Sequence, residues 1–257
     1  MDEKILQIAI KAAHKAGEYV LSKVNNVRDI SHKRGINDLV TEADRNSEDI
    51  IIEEIRNNFP DHSILAEESG EKGEEGIYKW VIDPIDGTTN FAHGLPIFCI
   101  SIGVQQAGRT VGAVVFDPNR EETFNAVAGE GAFLNGSRIR VSQASTLETS
   151  LISTGFAYDY KKKTANLDKF KIMLGKAQAV RRPGSAALDL CYVACGRFDG
   201  YWEQFLAPWD TAAGYLIVQE AGGRVSRFDG SEYNIFDKEI LASNGHIHEA
   251  MMEVMRK

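Results

Sequence analysis

Trp80-Val81-Ile82-Asp83-Pro84-Ile85-Asp86-Gly87-Thr88-Thr89-Asn90-Phe91 sets two carboxylates three residues apart where an apolar run meets a turn. Trp80-Val81-Ile82 reads as a buried strand. Asp83-Pro84 is expected to stop it, because Pro84 has no N–H for the ladder and biases Asp83 toward extended geometry. Gly87 permits a sharp turn, and the N–H groups of Gly87, Thr88 and Thr89 can face an anion as a short helix begins. Hard oxygen ligands of this kind suit Mg²⁺, which keeps some waters and shares its remaining positions with a substrate phosphate. Taken alone, Asp-Gly is also an ordinary turn and Asp86 an ordinary helix cap.

Two further acid-bearing element ends accompany this stretch. Ile64-Leu65-Ala66-Glu67-Glu68-Ser69 is an apolar strand ending in acids, followed by a polar, glycine-bearing loop from Gly70 to Gly76. Asp210 lies between Trp209 and the helical pattern Thr211-Ala212-Ala213-Gly214-Tyr215-Leu216-Ile217-Val218, where it reads as an N-cap, a ligand, or both. Three carboxylate-bearing ends suggest one site.

The 257 residues hold no low-complexity segment or Pro/Ser-rich linker, which predicts one compact unit, with an α+β half over about residues 1–145 and an α/β half over about 146–257. No stretch approaches the roughly 18 apolar residues of a membrane span, and Met1-Asp2-Glu3-Lys4 lacks a signal peptide's basic start, so a cytoplasmic location is expected. Cys99, Cys191 and Cys195 are odd in number and widely spaced, and read as buried thiols rather than a disulfide framework or a zinc site. A net charge of −8 argues against nucleic-acid binding, which needs a basic face. Bound divalent ions would nevertheless make a carboxylate-rich pocket attractive to phosphate. Lys161-Lys162-Lys163 reads as a solvated loop.

Ile5, Ile8, Ala9, Ala12, Ala13, Ala16 and Val20 form the apolar stripe of a first helix. A second runs from about Thr41 to Asn58 on Ile51, Ile52, Ile55 and Phe59, with Phe59-Pro60 as its end. Strands are expected near 63–67, 79–83, 97–106, 110–117 and 122–127, with Asn135-Gly136 a hairpin turn before Arg138 to Val141. Beyond Leu151 the expectation is helices near 164–175, 186–196 and 211–221, a strand near 240–243 and a closing helix from about 246. His246 and His248 resemble a helix start more than a metal site. His93, close to the opening stretch, reads as a surface or packing residue.

Five segments together carry a resemblance: Asp38-Leu39-Val40-Thr41-Glu42-Ala43-Asp44, Glu67-Glu68-Ser69, Asp83-Pro84-Ile85-Asp86-Gly87-Thr88-Thr89-Asn90-Phe91, Gly184-Ser185-Ala186-Ala187-Leu188-Asp189 and Trp209-Asp210-Thr211-Ala212-Ala213-Gly214. In their order and spacing the chain resembles the inositol monophosphatases, and most the bacterial branch, over nearly its whole length. The resemblance implies a layered αβαβα sandwich of the inositol monophosphatase and fructose-1,6-bisphosphatase type, within the α/β class, usually assembled as a homodimer. It also implies lithium-sensitive, magnesium-dependent hydrolysis of small phosphate monoesters, with inositol 1-phosphate as leading substrate, using two or three Mg²⁺ per site.

By the same resemblance Glu67, Asp83 and the Ile85 carbonyl would hold one ion, and Asp83, Asp86 and Asp210 a second. Glu67 and Thr88 would orient the attacking water, with Asp44 bonded to Thr88. No side-chain nucleophile is needed for this, and no compelling triad offers one. Asp86, Gly87, Thr88, Gly184, Ser185, Ala186, Glu203 and Asp210 would meet substrate. In that set Gly184-Ser185-Ala186 is expected to present helix-start N–H groups to substrate oxygens, or to be an ordinary cap, and Glu203 to accept hydrogen bonds from ring hydroxyls. Lys33 matches a family lysine near a mobile loop, and Arg181 and Arg182 may face phosphate, a partner subunit or solvent with no sequence basis for choosing. Rival readings are a fructose 1,6-bisphosphate or nucleotide 3′-phosphate phosphatase of the same lithium-sensitive group, and an interaction protein paired with the transcription machinery.

Overall fold

The computed structural model describes residues 3–24, 31–32, 39–40, 42–74, 76–157, 162 and 164–256. The expectations for Lys33, Asp38, Thr41, Lys161 and Lys163 fall outside these residues. Helices α1 (Glu3–Lys23) and α2 (Glu42–Asn58) flank a short pair, β1 (Ser31–His32) and β2 (Leu39–Val40). The α1 stripe is buried as its spacing requires, while on α2 Ile51 and Ile55 are buried and Ile52 and Phe59 pack at the core's edge.

Both helices lie on an eight-stranded sheet built from β3 (Ser63–Ala66), β4 (Gly70–Lys72), β5 (Tyr78–Asp86), β6 (Cys99–Gln106), β7 (Arg109–Asp117), β8 (Glu122–Val127), β9 (Gly131–Leu134) and β10 (Ser137–Arg138). Its order is β10-β9-β8-β7-β6-β5-β3-β4, antiparallel except where β3 runs parallel to β5. Helix α3 (Thr88–Ala92) follows β5 directly.

The second sheet comprises β11 (Leu151–Thr154), β12 (Ala179–Arg181), β13 (Gly200–Gln204), β14 (Arg224–Ser226) and β15 (Glu239–Ser243), in the order β12-β11-β13-β15-β14. Between the sheets lie α5 (Ala186–Ala194), the short α6 (Pro208–Thr211) and α7 (Gly214–Glu220). On the outer face are α4 (Leu167–Leu174) and α8 (His248–Met255). The result is five layers: α1 and α2, the large sheet, α5 with α7, the small sheet, then α4 with α8. Three apolar clusters fill the gaps, one under α1 and α2, one on both sides of α5 and α7, and one under α4 and α8, because each helix layer needs an apolar face toward its neighbours.

Several local expectations need correction. Strand β5 does not stop at Asp83 but continues to Asp86, with a register shift against β6 between those two residues. A bulge tolerates a proline in a strand, and it moves both acids to the strand's C-terminal end. The loop expected from Gly70 to Gly76 contains β4, paired antiparallel to β3. The helix expected over 211–221 is two helices, α6 and α7, broken at Ala212 and Ala213, so Asp210 lies inside α6 rather than capping α7. Strands β11, β12, β13 and β14 had no individual sequence signal, being only three to five residues long and too short for a two-residue period to declare itself.

His248 opens α8, as its sequence context suggested, and is fully buried. Its Nε2 is 2.8 Å from Ser226 Oγ and its Nδ1 2.9 Å from Ser243 Oγ, tying β14, β15 and α8 together. Burial pulls its pKa down to about 4. The neutral ring is favoured in the fold, so its contribution is fully present above about pH 6.5 and lost as pH falls toward 4, at most about 3 kcal/mol. Denaturant melts at pH 7.5 and pH 4.5 should therefore show a loss of stability that His248→Gln reduces.

Candidate active site

Helix α2 changes character along one buried stripe. Ile51 and Ile55 face the large sheet, but one turn earlier the same face carries Asp44, Ser47 and Glu48, all buried. Each grips a different element: the start of α3, the bulged end of β5 and the loop after β3. Thr88 Oγ1 lies 3.0 Å from Asp44 Oδ1, Ser47 Oγ donates to the Pro84 carbonyl at 2.8 Å, and the Glu68 N–H donates to Glu48 Oε2 at 2.8 Å. One helix end thus fixes the loops after β3 and β5 relative to each other. The Glu67 N–H donates to the Ile82 carbonyl at 3.2 Å, closing that frame.

At the end of β5, Asp83 and Asp86 are both buried. The Ile85 N–H donates to Asp83 Oδ1 at 3.1 Å, and the Ile85 carbonyl stands 3.0 Å from Thr88 Oγ1. With a single proton, that hydroxyl donates to either Asp44 or Ile85 and keeps lone pairs for another donor. Gly87 bridges β5 and α3 at φ 100° and ψ 33°, and a Cβ there would come within 2.8 Å of the Ile97 carbonyl. Only glycine satisfies both conditions.

Asp86 faces the start of α5. Its Oδ2 accepts from Ser185 Oγ and from the Ala187 N–H, each at 2.6 Å, and its Oδ1 from the Ala186 N–H at 3.3 Å. Of the helix-start N–H groups expected to face substrate, that of Ala186 is directed at the Asp86 carboxylate. Ser185 is the cap of α5, accepting from the Leu188 N–H at 3.3 Å. Gly184 is held in place by Asn90, whose Nδ2 donates to the Ile97 carbonyl at 2.7 Å and to the Pro183 carbonyl at 2.9 Å. Burial raises Asp86 above the ordinary carboxylate range even against these donors.

Asp210 stands three residues past Ala207, whose N–H donates to Asp210 Oδ2 at 2.7 Å. Burial, then the negative charges of Glu67 and Asp86, push Asp210 well above its usual value. Glu203, on β13, is buried and accepts from Tyr201 Oη at 2.6 Å. Desolvation raises it to about 7, with the Tyr201 bond and the Arg182 charge opposing. Gly155 lies directly against the Glu203 carboxylate, with no room for a Cβ. Asp189 is also buried near Glu203, and burial followed by the Glu203 and Asp86 charges drives it well upward.

Other singled-out residues lie at the margins. Arg182 folds back over Gly184, while Arg181 is exposed and donates to the Val180 carbonyl at 3.1 Å. His93 is an exposed C-cap of α3. The thiols are free, with Cys99 and Cys191 buried and Cys195 partly so. Ser47, Glu48, Asn90, Tyr201 and Gly155 were missed as site residues. The available signal was the spacing of Asp44, Ser47 and Glu48, which continues the apolar stripe of α2 with polar residues.

The sequence matches the Inositol monophosphatase family over residues 1–257. The chain belongs to the inositol monophosphatase family. It is 49% identical over 253 residues to the Inositol-1-monophosphatase of Synechocystis sp., covering 97% of this chain and 88% of that protein. It is 45% identical over 255 residues to the Nus factor SuhB of Escherichia coli K12, covering 98% and 96%. The structure of inositol monophosphatase from Anabaena (Nostoc) sp. PCC 7120 superposes with a TM-score of 0.90 at 44% identity, covering 99% and 96%. The family and its fold are shared, and the chain is a phosphatase of this family.

Among the described residues no three His, Cys, Asp or Glu side chains close into a ready-made metal cage. The donor set still fits Mg²⁺: the acids are hard oxygen donors whose mutual repulsion raises Asp210, and that ion binds through one or two carboxylates plus phosphate and water. The Asp86 bonds make a separate, metal-independent prediction. Because burial raises Asp86 even against these donors, its charge costs the metal-free fold stability at neutral pH, so Asp86→Asn should unfold at no lower urea concentration than wild type at pH 7.5 in metal-free buffer, read by urea titration.

Proposed function

We propose that the chain hydrolyses inositol 1-phosphate, and other small polyol or sugar phosphates, to the free alcohol and phosphate in a Mg²⁺-dependent reaction. The observation that carries this reading is the buried pair Asp83 and Asp86 at the end of β5, with the Asp44–Thr88 contact beside it and the negative charges of Glu67 and Asp86 acting on the buried Asp210. Glu67, Asp83 and the Ile85 carbonyl would hold one ion, and Asp83, Asp86 and Asp210 a second, making Asp83 the shared ligand. Bound there, Mg²⁺ supplies neutralisation of the phosphate oxygens and of the departing alkoxide's charge, and makes a water easier to ionise.

The residues themselves orient the reactants. With its proton donated to Asp44, Thr88 Oγ1 can accept from a water that Glu67 holds from the other side and from which Glu67 takes a proton. That water attacks phosphorus, the ester P–O bond breaks with its electron pair leaving on the alkoxide oxygen, and the proton that Glu67 took passes through solvent to that oxygen, giving the alcohol and phosphate. Glu203, ionised, accepts hydrogen bonds from the alcohol's hydroxyls. A homodimer, and cytoplasmic location, belong to this same reading. Among the described residues no helix is long and apolar enough to cross a membrane.

The name Nus factor carried by the 45%-identical Escherichia coli relative favours a second role, association with the transcription machinery, beside catalysis. Stoichiometric co-purification from native cells at physiological salt supports that role, and its absence counts against it.

Initial rates on inositol 1-phosphate, fructose 1,6-bisphosphate, a 3′-phosphoadenosine nucleotide and glycerol 2-phosphate, with Mg²⁺ and with or without Li⁺, test the function. Inositol 1-phosphate should be turned over best and Li⁺ should inhibit. Preference for the bisphosphate or the nucleotide would move the chain to a rival specificity, and inactivity on all four would sink the enzyme reading. Asp83→Asn should cut kcat by at least about 100-fold while the circular dichroism spectrum is unchanged.

A further inference from the structure

Phe205 follows the last residue of β13 with φ +68°, a left-handed conformation that costs a bulky side chain of order 1–3 kcal/mol and glycine almost nothing. Its N–H is anchored on the Lys238 carbonyl at 2.5 Å, so the conformation is fixed by the backbone around it. The ring is not placed there to fill the core, being 38% exposed. It lies two residues after Glu203 and five before Asp210, between the acid that would take the alcohol's hydroxyls and an acid of the metal shell.

Gly155 lies against the Glu203 carboxylate, and Lys162 Nζ sits 5.3 Å from the centre of the Phe205 ring. Such a cation over one face favours a defined ring plane. A strained, partly exposed aromatic side chain is thus held just past the C-terminal end of β13, two residues along the chain from the alcohol-binding acid.

We propose that Phe205 is a specificity-determining residue whose exposed ring packs on the C–H face of a cyclic leaving group, selecting cyclic polyol phosphates over acyclic ones. This rests on the phosphatase reading above. Phosphate chemistry is the same for both alcohols, and Glu203 can accept from a hydroxyl of either. A rigid six-membered polyol presents a continuous C–H face once its hydroxyls are engaged, whereas a short acyclic chain presents none and loses rotational freedom when pressed against a wall. An apolar wall discriminates at the level of about 10- to 200-fold.

The test compares kcat/KM for inositol 1-phosphate with that for glycerol 2-phosphate in wild type, Phe205→Gly, Phe205→Asn and Phe205→Tyr, with Mg²⁺ present. Gly and Asn both accept the left-handed backbone, so the fold survives, and Phe205→Gly should melt no lower than wild type despite losing the ring. Both should lose about 10-fold on inositol 1-phosphate and change less than about 2-fold on glycerol 2-phosphate, while Phe205→Tyr keeps the wild-type ratio. Equal changes on the two substrates, or none, overturn the role of Phe205 and leave the phosphatase reading intact. Wild type inactive on both overturns the phosphatase reading and this inference with it.

Discussion

The bond between Asp86 and the start of α5 is the joint on which the site depends. Asp86 ends a strand of the large sheet, and Ser185, Ala186 and Ala187 begin a helix packed between the two sheets, 99 to 101 residues away in sequence. A carboxylate at a helix N-terminus meets unpaired N–H groups and the positive end of the helix dipole, which offsets part of the cost of burying it. The same bond aligns the strand bearing Asp83 with the half of the chain that carries Glu203 and Asp210. Without it the acids would have no common frame.

A second frame comes from α2. Asp44, Ser47 and Glu48 occupy core-facing positions where an ordinary amphipathic helix carries apolar residues, and each is matched by a partner from a loop of the site. Burying three polar groups is tolerable because each is bonded. The site acids themselves are less well compensated. Burial raises Asp86, Asp189, Glu203 and Asp210, and neighbouring carboxylate charges add to it at Asp189, Glu203 and Asp210, the expected condition of a pocket that accommodates negative ligands through cations.

Much of this could be read locally. Glu67, Asp83, Asp86 and Asp210 each follow or sit within a recognisable element end, and the stripes of α1 and α2 announced the first layer. Thr88 and Asp44 were paired only through the family resemblance, since they are 44 residues apart and nothing near either names the other. The direction of the Ala186 amide was not legible, because a helix start looks alike in sequence whether its N–H groups face substrate or a protein acid. Asn90 had no role of its own in the opening stretch, although it holds the loop before α5. Phe205 gave no signal at all, since strain at a φ of +68° exists only in the folded backbone.

Sequence alone determined which segments become helices and long strands, and which of their ends carry acids, because side-chain periodicity and chain-breaking residues act over a few positions. Tertiary structure alone decided which acid meets which donor and how far each is desolvated. It also decided that β5 runs on through Pro84 to deliver Asp86 to α5. Hydrogen-bond partners and desolvation depend on elements that meet only when the two sheets and the helices between them pack, and no local pattern encodes that meeting.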